Sequence, residues 1–250
     1  MSDATMVPSA ESPAGLSQLQ RLINTFVAPS KTFEDIRRSS SWWLPWLIAV
    51  VIGLGFTMAV QQKVGWDQAY DNILHQNPKA MQRMDQMQPA QAAQAKVLSA
   101  KVTQISSYSV PVLGLIIAAI IAGVLMATVN FGFGGKATFG QMFAVWYYAT
   151  LPLVLMYLLS IITLYAGLDP TTFNLSNPIG TNIGYYLPSS SPHWMVVLGN
   201  TIDIFSIWTA VLLTIGCAAV GRIKTSSAAI AVFGWWILIT VIKVGAAAIM

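Results

Sequence analysis

Five stretches of this 250-residue chain are long and apolar enough to cross a lipid bilayer. A span needs about 20 mostly apolar residues, because only a helix satisfies all of its backbone donors and acceptors where there is no water. The charged fraction agrees, since it is 9%, against about 25% in an ordinary soluble domain. The sequence therefore predicts an all-α, polytopic transmembrane bundle of five spans, at about residues 42–60, 108–131, 142–166, 194–220 and 228–250.

The part before the first span divides in two. Residues 1–15 are rich in Ser, Ala and Pro, which predicts a disordered tail. Residues 16–41 predict an amphipathic helical segment, because apolar residues recur there at helical spacing: Leu19, Leu22, Ile23 and Phe26. We expect this segment to lie in the membrane interface, and a helix packed under the bundle is the alternative.

The connection between the first two spans, residues 61–107, predicts an outer loop of short helices. Pro78 and Pro89 each suit the first position of a helix. Met81, Met84 and Met87 recur every third residue, and thioether sulfur is a soft ligand that suits Cu(I). An apolar stripe resting on lipid or on the bundle is the interpretation we prefer, so we expect no metal and no cofactor.

The distribution of basic residues predicts the orientation. Basic residues lie in or beside short segments on one side of the predicted membrane: Arg37, Arg38, Lys136, Arg222 and Lys224. Residues 167–193, on the other side, contain no Lys or Arg. Because short basic loops stay inside, we predict a multi-pass protein of a prokaryotic cytoplasmic membrane, with the N-terminus inside and the C-terminus outside. The five side chains should contact anionic lipid, and their scatter argues against a nucleic-acid partner.

Two predicted spans contain ionisable residues, Asp203 in the fourth and Lys243 in the fifth. An unpaired charge at membrane depth costs about 3 kcal/mol or more. The two residues lie at similar depth in antiparallel spans, which predicts an ion pair, with Asn200 beside it; a solute or proton path is the alternative. Pro152 should kink the third span.

No motif in the chain indicates catalysis. Residues 130–138 resemble a phosphate-binding loop, but Asn130 stands where such a loop needs Gly and Ala137 stands where it needs Ser or Thr. His75 and His193 are far apart and neither has an acidic or cysteine neighbour at metal-ligand spacing. The sequence therefore predicts a protein that is not an enzyme.

A series of residues keeps a recognisable order around the five spans: Phe26, Pro29, Phe33, Ile36, Lys136, Thr138, Phe139, Tyr147, Tyr148, Leu151, Pro152, Asp203, Phe205, Trp208, Leu212 and Gly216. In this order the chain resembles the Yip superfamily, the Ypt/Rab-interacting proteins with five membrane spans, and in particular its short prokaryotic members. The resemblance implies a cytoplasmic N-terminus, a non-enzymatic bundle and, for eukaryotic relatives, Rab-type GTPase partners. The short N-terminal tail of this chain leaves little surface for a GTPase, so we expect no such partner.

Two functions remain open at this point. The first is a membrane-organising or scaffold protein that contacts lipids and other membrane proteins, or a second copy of itself. Its contacts would include a small-residue seam on the second span at Ala119, Gly123 and Ala127. The alternative is a transporter or permease for a small solute, lipid or proton. We favour the scaffold, because an odd number of spans is hard to divide into inverted repeats.

Overall fold

A computed structural model of the chain describes residues 15–188 and 191–249. The predicted tail therefore lies outside the described residues, apart from Gly15. The helices are α1 (Gln18–Val27), α2 (Pro29–Ile36), α3 (Trp43–Lys63), α4 (Trp66–His75), α5 (Pro78–Asp85), α6 (Pro89–Tyr108), α7 (Val110–Ala127), α8 (Phe139–Ala149), α9 (Leu151–Tyr165), α10 (His193–Thr201), α11 (Ile204–Gly221) and α12 (Thr225–Ile249). A π-helical turn, Thr128–Gly132, extends α7, and a 3-10 turn, Ile183–Tyr186, precedes α10.

Five segments within the described ranges are long and apolar enough to cross a membrane: Trp43–Lys63, Val110–Gly132, Phe139–Tyr165, Ile204–Gly221 and Thr225–Ile249. The prediction of an all-α, polytopic transmembrane bundle is confirmed. The hairpin end of the bundle is defined here by α1, α2 and the connections 133–138 and 222–224. The loop end is defined by α4, α5, α6 and residues 166–188 and 191–192.

The third and fourth spans are both interrupted. The third divides at Thr150 into α8 and α9, and Pro152 lies in the first turn of α9, where a missing amide hydrogen is tolerated. The fourth span was predicted as one helix over residues 194–220, which is wrong. The chain ends α10 at Thr201 and begins α11 at Ile204, so only α11 has the length and composition of a span.

The N-terminal segment folds as a helical hairpin, α1 followed by α2. Ser17 and Gln20 form a capping box that begins α1, and Pro29 occupies the first turn of α2. On α2, Phe33 and Ile36 are fully buried in the main core of the bundle. One face of the hairpin thus packs under the bundle, as in the alternative, while Leu19, Ile23 and Val27 of α1 are exposed, so the location in the membrane interface stays a prediction.

The bundle is organised around α8 and α11, which are its most buried helices. The main core combines residues of α2, α7, α8, α11 and α12, among them Tyr148, Met142 and Leu212. A smaller core at the loop end joins α3, α4 and α9 with Phe173 of the connection that follows. On α7 the buried small residues are Ala118 and Ala122, so the packing seam lies one residue away from the predicted one.

Candidate functional site

The interruption of the fourth span is built around Asp203. This residue is the N-cap of α11, and its carboxylate accepts hydrogen bonds from the backbone N–H groups of Phe205, at 2.9 Å, and Ser206, at 3.0 Å. The hydroxyl of Thr181 donates to the other carboxylate oxygen. Acidic side chains favour this position because they satisfy free N–H groups and oppose the positive end of the helix dipole. Asp203 is 4% exposed, so its carboxylate is buried against these three donors.

A cluster of amide side chains supports the break from the loop end. Asn177 hydrogen-bonds both Asn182 and Asn200, and Asn182 forms an isolated antiparallel bridge with Asp203. A Cβ added at Gly199 would lie 2.7 Å from the backbone of Gly184, so α10 and the 3-10 turn touch backbone to backbone. The hydrogen bonds of the polar residues around Asp203 thus stabilise the break between α10 and α11.

Beside the break lies a groove between α7, α10, α11 and α12, with a cavity volume of about 630 Å³. Its apolar walls are formed by several large side chains: Ile120, Val124, Trp146, Leu213, Trp235 and Trp236. Residues at its rim are open to the surroundings, since Ile120 is 61% exposed and Ile239 is 47% exposed. The groove therefore opens on the side of the bundle rather than along its axis.

Polar residues collect at the loop end of this groove. Asn200 and Thr201 of α10, Ser206 of α11, and Thr240 and Lys243 of α12 all line it. The structure thus brings Asn200 and Lys243 to one cavity, whereas Asp203 is turned toward its own helix end. The predicted ion pair between Asp203 and Lys243 is wrong, because the ion pairs within the described ranges are Arg21–Asp35, Arg38–Asp35 and Lys96–Asp71.

Thr209 gives the groove an unsatisfied polar atom. The hydroxyl groups of Thr201, Thr214 and Thr240 each donate to the carbonyl four residues earlier, which is how threonine usually satisfies its hydroxyl inside a membrane helix. The Thr209 hydroxyl is buried and has no hydrogen-bond partner among the described residues. Thr209 also lines the groove, and its hydroxyl oxygen is enclosed by protein atoms.

A second polar site joins the hairpin to itself and to the bundle. The Nε of Arg21 donates to Asp35 at 2.6 Å, and the Arg21 side chain is 1% exposed. Burial alone would raise the pKa of Asp35, but the hydrogen bonds from Arg38 and Arg21 outweigh it, so the pKa lies below its usual value. The phenol of Tyr148, on α8, donates to Gln18 at 2.8 Å. Arg21 is therefore a buried member of a salt bridge.

The five basic residues predicted to face lipid are all exposed: Arg37, Arg38, Lys136, Arg222 and Lys224. They all lie at the hairpin end. Two hydrogen bonds hold their segments close together, one from the Lys136 N–H to the Gly221 carbonyl and one from Gln141 to the Arg37 carbonyl. The hairpin end therefore carries a basic rim around the docked hairpin.

The glycine-rich connection between α7 and α8 is closed by a side chain. Asn130 donates to the Ala137 carbonyl at 2.8 Å and accepts from the Ala137 N–H at 2.9 Å. The Asn130 side chain thus bonds both backbone groups of Ala137 and closes the turn. This geometry agrees with the interpretation of residues 130–138 as a turn.

Sequence reasoning missed Thr209 and the tryptophans Trp235 and Trp236 as groove residues. An isolated threonine or a tryptophan pair in an apolar span carries no pattern that separates a cavity wall from a lipid-facing surface. The burial of Arg21, by contrast, could have been predicted. Arg21 shares a helix face with Thr25, away from the apolar stripe that contains Leu19, and a polar face of this kind suits contact with protein.

Comparison with known proteins gives one family and one curated relative. The Yip1 domain family matches residues 23–246 of the chain. Membrane protein YknW of Bacillus subtilis (strain 168) is 29% identical over 219 residues, which is 85% of this chain and 85% of that protein. No solved structure matches the chain. The matched region contains the groove, the broken fourth span and most of the hairpin.

Proposed function

Since this chain belongs to the Yip1 domain family, we propose that it is a non-enzymatic scaffold that organises lipids and other membrane proteins around its bundle. Partners in the bilayer would be lipids, a different membrane protein or a second copy of the chain. The polar groups in the fourth span hold a helix break, which supports a structural use of Asp203 and its neighbours over a chemical one.

One observation carries this proposal: the axis of the bundle is filled with side chains, while the large groove opens sideways. Met142, Val145 and Cys217 fill the space between α8 and α11 and are fully buried. Phe33 and Ile36 of the hairpin close the same core at the hairpin end. The filled axis offers a water-soluble solute no open path in this structure, whereas the lateral groove is a surface that neighbours in the membrane can reach.

Photocrosslinking in native membranes tests the scaffold. We would place p-benzoylphenylalanine at Ile120, on the groove rim, and in a matched variant at Val51, which is 59% exposed on α3. We expect a discrete adduct with lipid or with one protein from Ile120 and only diffuse lipid labelling from Val51. Identical labelling from both positions would show that the groove is ordinary lipid-facing surface, and the scaffold proposal would fail.

We also propose that the N-terminus is inside and that the protein lies in a cytoplasmic membrane. The exposed basic rim at the hairpin end supports this orientation, because basic residues in short loops are retained inside. Cys217 is the chain's one cysteine, so Cys217→Ala gives a background free of thiols. A cysteine at Gln91 should then react with an impermeant maleimide from outside, and one at Lys136 should not. The reverse pattern would contradict the orientation.

The interrupted fourth span favours a second candidate, a transporter. Discontinuous helices in membrane proteins commonly flank ion and substrate sites. Proteoliposomes loaded with a pH-sensitive dye separate the two functions. Proton or solute flux that Asp203→Asn abolishes would support transport, and the absence of flux above that of empty liposomes would support the scaffold.

A further inference from the structure

We propose that the lateral groove binds one anionic phospholipid from the leaflet at the loop end, with its phosphate at Lys243 and its acyl chains against α7, α11 and α12. This inference rests on the proposed scaffold function and names the lipid that the scaffold would hold. It follows from the shape of the groove and from the depth of its charge.

The body of the groove suits hydrocarbon. A cavity of about 630 Å³ falls within the usual range for ligand pockets, about 300 to 1,000 Å³. Its floor and walls are mostly apolar and include Val124, Leu213 and the indoles of Trp235 and Trp236. Flat aromatic and aliphatic walls that open sideways admit a flexible chain directly from the bilayer.

Lys243 lies at the depth of a lipid headgroup. It follows Thr225 by 18 residues, or about 27 Å along α12 at about 1.5 Å per residue, and the hydrocarbon layer is about 30 Å thick. Its side chain is exposed and makes no ion pair with a described residue. An ammonium at this depth, beside Asn200 and Ser206, complements a phosphate diester.

Thr209 lies deeper than this charge. It precedes Gly221 by 12 residues, or about 18 Å along α11, against about 27 Å for Lys243 along α12. Its hydroxyl is enclosed by protein atoms and has no partner among the described residues, so it meets an ester carbonyl of the lipid only if the side chain turns toward the groove. The charge of Lys243 and the apolar walls therefore carry the inference, and Thr209 is a separate, testable contact.

A transmembrane helix from a partner protein is the competing occupant. It would offer the ammonium of Lys243 an opposite charge only if it carried an acidic residue at that depth. The chemistry of the polar end favours a lipid over a helix.

Tryptophan quenching by brominated lipids tests the proposal on the purified full-length chain in mixed micelles. We would titrate phosphatidylglycerol and phosphatidylcholine with brominated acyl chains, and assign the groove component of the quenching as the part lost in Trp235→Phe/Trp236→Phe. Wild-type protein should reach half-quenching with about fivefold less phosphatidylglycerol than phosphatidylcholine, as expected for one basic residue at the surface. Lys243→Met should remove this preference.

Three variants act as controls. Lys101→Met removes an exposed lysine of α6 at the same end of the bundle and should keep the wild-type preference. Val124→Trp should fill the groove and weaken quenching by both lipids. Thr209→Val should weaken the binding of both lipids by a similar factor, since both carry ester carbonyls. Unchanged circular dichroism spectra would show that the variants are folded.

Each outcome supports or overturns the inference. A wild-type preference that survives Lys243→Met, or that Lys101→Met removes equally, overturns it. Equal quenching by the two lipids also overturns it, although the scaffold function stands because the groove then holds chains without selecting headgroups. Groove tryptophans that neither lipid quenches would show that no lipid enters the groove, which again overturns the lipid site.

Discussion

Replacing Asp35 with Asn should release the N-terminal hairpin far more readily than replacing its partner Arg21 with Met. The Arg21 side chain is 1% exposed, and its Nη1 atom has no hydrogen-bond partner among the described residues. Asp35→Asn leaves this buried charge without its carboxylate. Breaking a buried pair by removing one partner costs about 3 to 5 kcal/mol.

The opposite substitution should be mild. Arg21→Met removes the buried charge and its unsatisfied nitrogen but keeps an apolar stem of similar length. Asp35 is 10% exposed and keeps its contact with Arg38, at 3.1 Å, whose own side chain is 57% exposed. We expect a cost of about 1 kcal/mol, the value of one ordinary hydrogen bond. The double variant should resemble Arg21→Met, because no buried charge remains.

Hydrogen exchange of the hairpin amides in lipid nanodiscs measures this local opening. Since about 1.4 kcal/mol is a factor of ten, Asp35→Asn should speed exchange in α1 by about a hundredfold or more, and Arg21→Met by about tenfold or less. Arg37→Met, at an exposed site next to the hairpin, should leave exchange unchanged. The reasoning is refuted if Arg21→Met costs as much as Asp35→Asn, or if the double variant equals the sum of the two.

Three further predictions concern packing, capping and pH. Gly216→Ala should lower the thermal midpoint in detergent by the equivalent of about 1 to 3 kcal/mol, because the new Cβ would lie 2.5 Å from Val145; Gly234→Ala, whose Cβ meets open space, should not lower it. Asp203→Ala should cost about 1 to 2 kcal/mol in the same assay through the lost cap, while Asp203→Asn, which still caps, should cost less. Since the pKa of Asp35 is lowered in the folded state, its contribution is complete above the usual value of 3.8 and is lost as pH falls through the folded pKa, so hairpin protection should be flat from neutral pH to about pH 5 and decline only in stronger acid.

The five spans were predictable because length and apolar content are local properties of the sequence. Local residues also indicate the break in the fourth span, but the long apolar run around them favoured a single helix. The predicted span of 194–220 exceeded the roughly 20 residues that a bilayer requires. Asn200, Thr201 and Asp203 are all residues that favour helix N-caps, and together with the excess length they indicate two helices.

The docking of the hairpin and the shape of the groove could not be predicted in the same way. An apolar helix face suits a lipid surface and a protein core equally, so the sequence of α2 does not separate the two. The groove depends on contacts between α7, α10, α11 and α12, which are far apart in the chain. The failure of the Asp203–Lys243 pair has the same origin, since equal depth does not determine which way a side chain turns.

The position of α2 against α11 has a consequence for the biogenesis of the protein. The ribosome makes the hairpin first, but Phe33 packs against Gly216 of α11, which belongs to the fourth span. The hairpin therefore cannot reach its final place until the chain has been made and inserted through α11, which ends at Gly221. During that interval its apolar residues must be held by the membrane surface or by a chaperone. The segment synthesised first is thus among the last to assemble, and its docking reports that insertion of the fourth span is complete.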